Sequence, residues 1–210
     1  MPKNIVIVGI DCGLKGAIAI ISGQNPPQIF DMPISWKPIK RKNKAGKMIP
    51  RKKFYYDLPA IMTVFRKYVK DKVYIFIEKQ GVRPREGAIS AMTIGQGYGT
   101  LIGLAYGLGF DVTIVAPQIW KKMYDGLNTK TLKESLEKKM KDIDGAKEYS
   151  KEKISRLLKA EGKTRAREIA SLLYPELADR FADVKQDGPA EALLICQYGC
   201  QQHELVQNRN

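Results

Sequence analysis

Two runs of apolar, β-branched residues each end in an acid: NIVIVGI (4–10) gives way to Asp11, and VYIFI (73–77) to Glu78. An ionised carboxylate at the end of a buried strand is costly unless something positive meets it. Strand ends are also where α/β sheets build ligand sites. Asp187 stands just before the last helical segment and Glu191 follows four residues later, so the two can share one helix face. These four carboxylates are about the number needed to hold two Mg²⁺ ions, which prefer oxygen ligands. Two such ions about 4 Å apart clamp a phosphodiester for in-line attack. One lowers the pKa of the attacking water and the other stabilises the leaving 3′ oxygen. Each acid also has a plainer reading: Asp11 as a turn former, Glu78 as a solvated loop residue, Asp187 as a helix cap. Taken together and in this order, the four weaken those plainer readings.

The elements around the acids can be read from periodicity. Asn4 to Ile10 is a buried strand, and Ala17 to Ile21 (AIAII) resumes as a strand after the glycine-bearing turn CGLKG. Gln28 to Met32 is a third strand. A long basic loop or ribbon follows, containing Pro33 and Pro38 and ending near Phe54, Tyr55 and Tyr56. Leu58 to Val69 has helical spacing, with Leu58, Ile61, Met62, Phe65 and Val69 on one face. Val73 to Ile77 is a strand, Ala88 to Leu108 a helix despite its glycines, and Asp111 to Val115 a strand stopped by Pro117. A helix starts at Gln118-Ile119-Trp120. Residues 127–162 are a surface insertion of one or two helices, rich in lysine and glutamate. Lys163 to Leu173 is an amphipathic helix stopped by Pro175, and Gly188 to about Gln202 is the last helix. Three hairpin-linked strands followed by alternating helices and strands predict an α/β fold: a mixed sheet with helices on both faces. At 210 residues the chain suits one domain, or one domain with an insertion.

The charge is strongly basic, with 36 Lys+Arg against 22 Asp+Glu and a net charge of +14. It is also unevenly spread. Lys37 to Lys53 holds nine basic residues and no acidic one, while Lys121 to Arg167 holds fifteen basic and eight acidic. These two outgrowths carry +16, which leaves −2 for the rest. A near-neutral body with two basic outgrowths points to a polyanion partner; the plainer account is solvated lysine loops that aid solubility. Lys40, Arg41, Lys42, Lys44, Lys47, Arg51, Lys52 and Lys53 are the ribbon's candidate phosphate contacts. Arg83 and Arg85 follow the Glu78 strand directly, and Lys121 and Lys122 open a helix; all four join the list of candidates. Trp36, Phe54, Tyr55 and Tyr56 flank the ribbon and can stack on exposed bases, or simply pack under a loop.

At the level of motifs a resemblance emerges. VGIDCGLKGAIAII resembles the opening hairpin of RuvC-type Holliday junction resolvases, of the ribonuclease-H-like superfamily. FIEKQGVRPREGAISAMTIGQGYGTLIGLAYGLG is similar to their second acidic strand and following helix, especially in the phage and plastid branch. APQIWKK and DGPAEALLICQYG resemble that branch's later strand-to-helix loop and closing helix. The segments come in family order, and only the two basic outgrowths fall outside the match. The resemblance implies a ribonuclease-H-like five-stranded mixed sheet, with Asp11, Glu78, Asp187 and Glu191 as catalytic metal ligands for Mg²⁺, or Mn²⁺ in its place. It also implies a homodimer that nicks two strands of a four-way DNA junction symmetrically, in a bacterial or phage-infected cell or as a processed plastid form. Two departures stand out. The last two acids are four apart where bacterial members have them three apart, and Pro189 stands where the near branch usually has arginine.

The same residues admit rival functions. The turn DCGLKG resembles the phosphate-binding hairpin of actin-like or sugar-kinase-type ATPases, but those usually need two such lobes and this chain has one such hairpin. A non-catalytic nucleic-acid-binding module explains the charge and leaves the strand-terminal acids unexplained. A ribonuclease H acting on RNA–DNA hybrids would use identical metal chemistry. Gly95, Gly99, Gly103 and Gly107 form a stripe on one helix face, which marks close approach of another element, either within the monomer or across a dimer. Cys196, Cys200 and His203 can share a helix face, but they fall short of a zinc site's usual four ligands and read as buried small side chains. An odd count of three cysteines makes no disulfide framework and suggests a reducing, cytoplasmic compartment. No signal peptide or confident membrane span is expected.

Overall fold

A computed structural model of the chain describes residues 4–43, 45–82, 86–144, 150–184 and 186–207, without the side chains of 141–144 and 205–207. The strands are β1 (Ile5–Asp11), β2 (Ala17–Ser22), β3 (Gln28–Asp31), β4 (Ile34–Lys42), β5 (Met48–Tyr56), β6 (Lys72–Glu78) and β7 (Asp111–Val115). The helices are α1 (Leu58–Arg66), α2 (Ala88–Gly107), α3 (Pro117–Lys121), α4 (Thr129–Asp144), α5 (Lys151–Leu173), α6 (Ala178–Phe181) and α7 (Gly188–Gln207).

Five strands form one mixed sheet in the order β3-β2-β1-β6-β7. β1, β2 and β3 are antiparallel neighbours, whereas β1, β6 and β7 run parallel. Strand alternation divides the core into two layers. Val6, Val8, Ile10, Ile75 and Ile77 point to one face and pack with Ile61 and Phe65 of α1 and Leu101 and Ala105 of α2. Ile7 and Phe76 point to the other, where α7 lies with Ala192, Leu193 and Cys196 fully buried. The mixed five-stranded α/β sheet with helices on both faces is therefore as expected from the sequence.

Register decides where the acids go. Ile10 pairs with Ile77, so the parallel strands β1 and β6 end together and bring Asp11 and Glu78 side by side. Both follow a residue of the α1/α2 face, so alternation sends their side chains toward α7. Gly9 lets that helix come close: a Cβ there would lie 2.3 Å from the Ala192 carbonyl oxygen and from the Cys196 nitrogen. Gly188 does the same at the first turn of α7, where a Cβ would lie 2.4 Å from the Lys15 carbonyl oxygen.

Several elements differ from the sequence reading. Lys37–Lys53, read as a loop or ribbon, is most of a regular hairpin in which β4 and β5 pair from Ile34↔Tyr56 to Lys42↔Met48 as a second sheet. α1 stops at Arg66 and leaves Val69 exposed; Val64, not Val69, completes its buried face. The sequence reading puts a break between residues 162 and 163; it does not occur, and α5 is continuous through Gly162, which packs near Leu132 of α4. Among the described residues the glycine stripe of α2 has no close neighbour: Cβ atoms at Gly95, Gly99, Gly103 and Gly107 would meet no atom within 4 Å. Packing against the described residues therefore does not explain it. No described helix is long and apolar enough to cross a membrane.

Candidate active site

At the shared end of β1 and β6, Asp11, Glu78 and Glu191 form an electrostatic cluster. Burial, then the negative charge of Glu191 and, more weakly, of Glu78, raises the Asp11 pKa to about 7. The Gly13 backbone N–H, which donates to Asp11 Oδ1 at 3.1 Å, and the Lys121 ammonium oppose that rise. Asp11 is thus a turn former as well as a cluster member. Glu78 is also raised, first by burial and then by Glu191; Lys121, Trp120 and Gln80 work against the shift. Two carboxylates held above their ordinary pKa by burial and by the charge of Glu191 form, with Glu191, an oxygen donor set suited to a hard cation.

Short helix α3 supplies the groups that hold this cluster. Trp120 is fully buried, and its Nε1–H donates to Glu78 Oε1 at 3.1 Å. Lys121 Nζ bonds Glu191 Oε1 at 3.1 Å and lies 4.9 Å from the Trp120 ring centre. The structure therefore places Lys121 within the carboxylate cluster, whereas Lys122 faces the cleft described below. Sequence periodicity alone points neither to Trp120 nor to the cluster role of Lys121. The signal was present in APQIWKK, in which Pro117 starts a helix right after β7 and so points the next turn back at the strand ends.

Asp187 behaves differently. Its carbonyl accepts the Glu191 N–H, as a helix-starting residue would, but its carboxylate turns to α5. There Oδ2 meets Lys163 Nζ at 2.5 Å and Oδ1 accepts from Arg167. It is not among the charges that shift Asp11 or Glu78. Among the described residues, no three His, Cys, Asp or Glu side chains already stand as a ligand set. Asp11, Glu78 and Glu191 fit a divalent cation by charge and chemistry; Asp187, as placed, does not.

The cluster opens into a cleft of about 820 Å³ whose floor includes Glu78 and Glu191. Its walls come from α3 and from the α4–α5 insertion, and they carry Lys121, Lys122, Lys130, Lys159 and Lys163. On the other side of the cluster, the Tyr56 hydroxyl donates to the Cys12 carbonyl and the Tyr56 ring fills the space that Gly97 leaves on α2. Tyr56, grouped by sequence with the stacking aromatics, is instead the root that fixes the hairpin beside Asp11. Trp36 (50% exposed), Phe54 (41%) and Tyr55 (37%) do lie open on the hairpin, with Lys52 Nζ 4.1 Å from the Trp36 ring centre. Lys40, Arg41, Lys42, Lys47, Arg51, Lys52 and Lys53 are all exposed on this hairpin, while Lys44, Arg83 and Arg85 lie outside the described residues. Cys196 is fully buried and its thiol donates to the Ile7 carbonyl; the His203 ring lies 4.7 Å from that of Tyr74.

No family model matches the chain, and no curated protein matches it in sequence. Among solved structures, it is similar to the Thermus thermophilus RuvC structure over 94% of this chain and 96% of that one, with 13% identity and a TM-score of 0.39. It is also similar to T. thermophilus RuvC in complex with Holliday junction substrate, over 79% of this chain and 96% of that one, with 14% identity and a TM-score of 0.35. These likenesses are loose, and the fold rests on the strand order and register described above.

Proposed function

We propose that the chain is a divalent-metal-dependent endonuclease of the RuvC type that nicks four-way DNA junctions symmetrically as a homodimer. The observation that carries this reading is the convergence of Asp11, Glu78 and Glu191 at the ends of two parallel strands, with Glu78 and Glu191 lining a cleft that also carries five lysines. Mg²⁺ or Mn²⁺ bound there would activate water and stabilise the leaving 3′ oxygen. The chain's own residues do the rest. Trp120 orients Glu78, Lys121 holds Glu191, and Tyr56 fixes the hairpin beside Asp11. The hairpin's lysines and arginines would neutralise phosphates, while Trp36 and Phe54, directly paired in the hairpin register, offer a stacking surface. Phage- and plastid-branch membership is part of the proposal and rests on the motifs APQIWKK and DGPAEALLICQYG.

A twofold dimer follows from the substrate, because symmetric cuts need two active sites related by a twofold axis. The open glycine stripe of α2, flanked by exposed Ile89, Met92 and Tyr106, is the surface proposed for part of that interface. Gly99→Leu or Gly103→Leu should yield a folded monomer by light scattering and circular dichroism; a wild-type monomer that still makes paired cuts would refute the dimer. The deciding experiment for function compares cleavage of a four-way junction, duplex DNA and an RNA–DNA hybrid in Mg²⁺. Preferential nicking of the junction supports the proposal. Preference for the hybrid would make the chain a ribonuclease H, and binding without cleavage would make it a non-catalytic module.

A further inference from the structure

Two of the four sequence-predicted acids are already neutralised by cations of the chain itself. Glu191 is paired with Lys121 from α3. Asp187 is paired with both Lys163 and Arg167, which stand one turn apart on the same face of α5. The two partners of Asp187 are not equivalent. Arg167 is enclosed, its side chain 12% exposed, and it is further held by a bond to Thr164 Oγ1 at 3.1 Å. Lys163 is 48% exposed and lines the cleft whose floor contains Glu78 and Glu191. An anion entering the cleft therefore meets the Lys163 ammonium directly and competes with Asp187 for it.

We propose that Lys163 and Arg167 form a lock on Asp187 that a nucleic-acid phosphate opens by drawing Lys163 away, so that nucleic-acid binding and divalent-cation binding reinforce each other. The inference rests on the reading of Asp11, Glu78 and Glu191 as a cation site and adds to it the state of Asp187. A carboxylate already neutralised by an ammonium and a guanidinium gains little from a further cation. Once Lys163 turns to a phosphate, Asp187 is left under-compensated just before α7, four residues from Glu191, and a divalent ion gains a carboxylate. By linkage the cation must then strengthen nucleic-acid binding by the same factor. The lock gives the α4–α5 insertion a task beyond adding positive charge: it keeps the cation site incomplete until substrate is present.

The test is binding of Mn²⁺ to the full-length chain without DNA, read from the electron paramagnetic resonance of the free ion. Lys163→Ala and Arg167→Ala should each bind Mn²⁺ at least about fivefold more tightly than wild type, the lower end of ordinary coupling between sites. Adding Asp187→Asn to Lys163→Ala should remove the gain. Lys122→Ala, which takes a lysine from the same cleft but from no ion pair among the described residues, controls for the general loss of positive charge and should produce a smaller change. If Arg167→Ala does not fold by circular dichroism, the half-exposed Lys163 decides alone. Folded lock variants whose Mn²⁺ affinity is unchanged or weaker, or no different from Lys122→Ala, overturn the lock while leaving the cation site standing. A wild-type chain that binds no Mn²⁺, or binds it equally after Asp11→Asn, overturns both.

Discussion

The carboxylate cluster and the β4–β5 hairpin are built on opposite terms. The acids sit at the ends of β1 and β6, on strands whose neighbouring residues Ile10 and Ile77 are almost wholly buried. They are placed by sheet register, by the close approach of α7 at Gly9 and by bonds from Trp120 and Lys121. The hairpin is exposed along nearly its whole length and is tied to the body beside the cluster through Tyr56. The cluster concentrates like charge where it is costly, and only a well-packed scaffold can hold it so. The hairpin spreads like charge in water, where repulsion is screened and packing has little to enforce. Substitutions should therefore separate the two regions, with chemistry and stability residing in the first and salt-dependent affinity in the second.

The sharpest break is expected from Asp11→Asn or Glu78→Gln. Each should lower junction nicking by at least about a hundredfold, beyond the usual effect of losing a supporting contact at a metal site, while junction affinity stays within a few-fold in a gel-shift assay. Full activity in either variant, or activity undiminished by a chelator, would remove the cluster from the chemistry.

Next in size is Gly9→Ala. The added methyl would meet backbone atoms of α7 at 2.3 Å, so the helix must shift and take Glu191 with it. Destabilisation of about 1–3 kcal/mol is expected by denaturant titration, together with reduced nicking. Gly46→Ala in the hairpin turn meets no atom within 4 Å but has φ +77°, so its cost should be backbone strain of about 1–2 kcal/mol confined to the turn. Nicking in low salt should then be retained. Equal effects of the two substitutions on nicking would erase the contrast between the regions.

The hairpin is tested by salt. Replacing Lys40, Arg41 and Lys42 together should flatten the log–log dependence of junction affinity on salt by about 0.9 per lost phosphate contact on duplex arms. An unchanged slope would mean that the hairpin points away from DNA.

The smallest effect is one of pH. Without a cation, Asp11 has a pKa of about 7 in place of its ordinary 3.8, so the folded chain keeps a proton that the unfolded chain has lost. This group therefore costs nothing at pH below about 4, costs more as pH rises toward 7, and costs its full amount above that. The nominal penalty is ~4 kcal/mol, and solvent still reaching the carboxylate reduces it to the order of 1 kcal/mol. Asp11→Asn should thus raise Tm at pH 8 and leave it nearly unchanged near pH 3.5. A gain of equal size at both would assign the effect to packing.

Much of this molecule was legible in the chain because the signals are local. Alternation and β-branching marked the five strands of the main sheet, and an acid directly after each of two apolar runs marked Asp11 and Glu78 as neighbours once the runs are parallel and in register. The ambiguity of the basic segment was local as well: lysine-rich strands in water bear no apolar face, so periodicity could not separate loop from hairpin. What the chain by itself determined was the order of the main-sheet strands, the excess positive charge of two outgrowths and the identity of the acids at the strand ends. Only the tertiary structure decided which cations answer which acids. Lys121 reaches Glu191 across 70 residues, Trp120 reaches Glu78 across 42, and Arg167 and Lys163 meet Asp187 across 20 and 24. Side-chain charge acts through space over a few ångströms; beyond the helix start that Pro117 marks before Trp120 and Lys121, nothing along the sequence pairs those four residues with their acids.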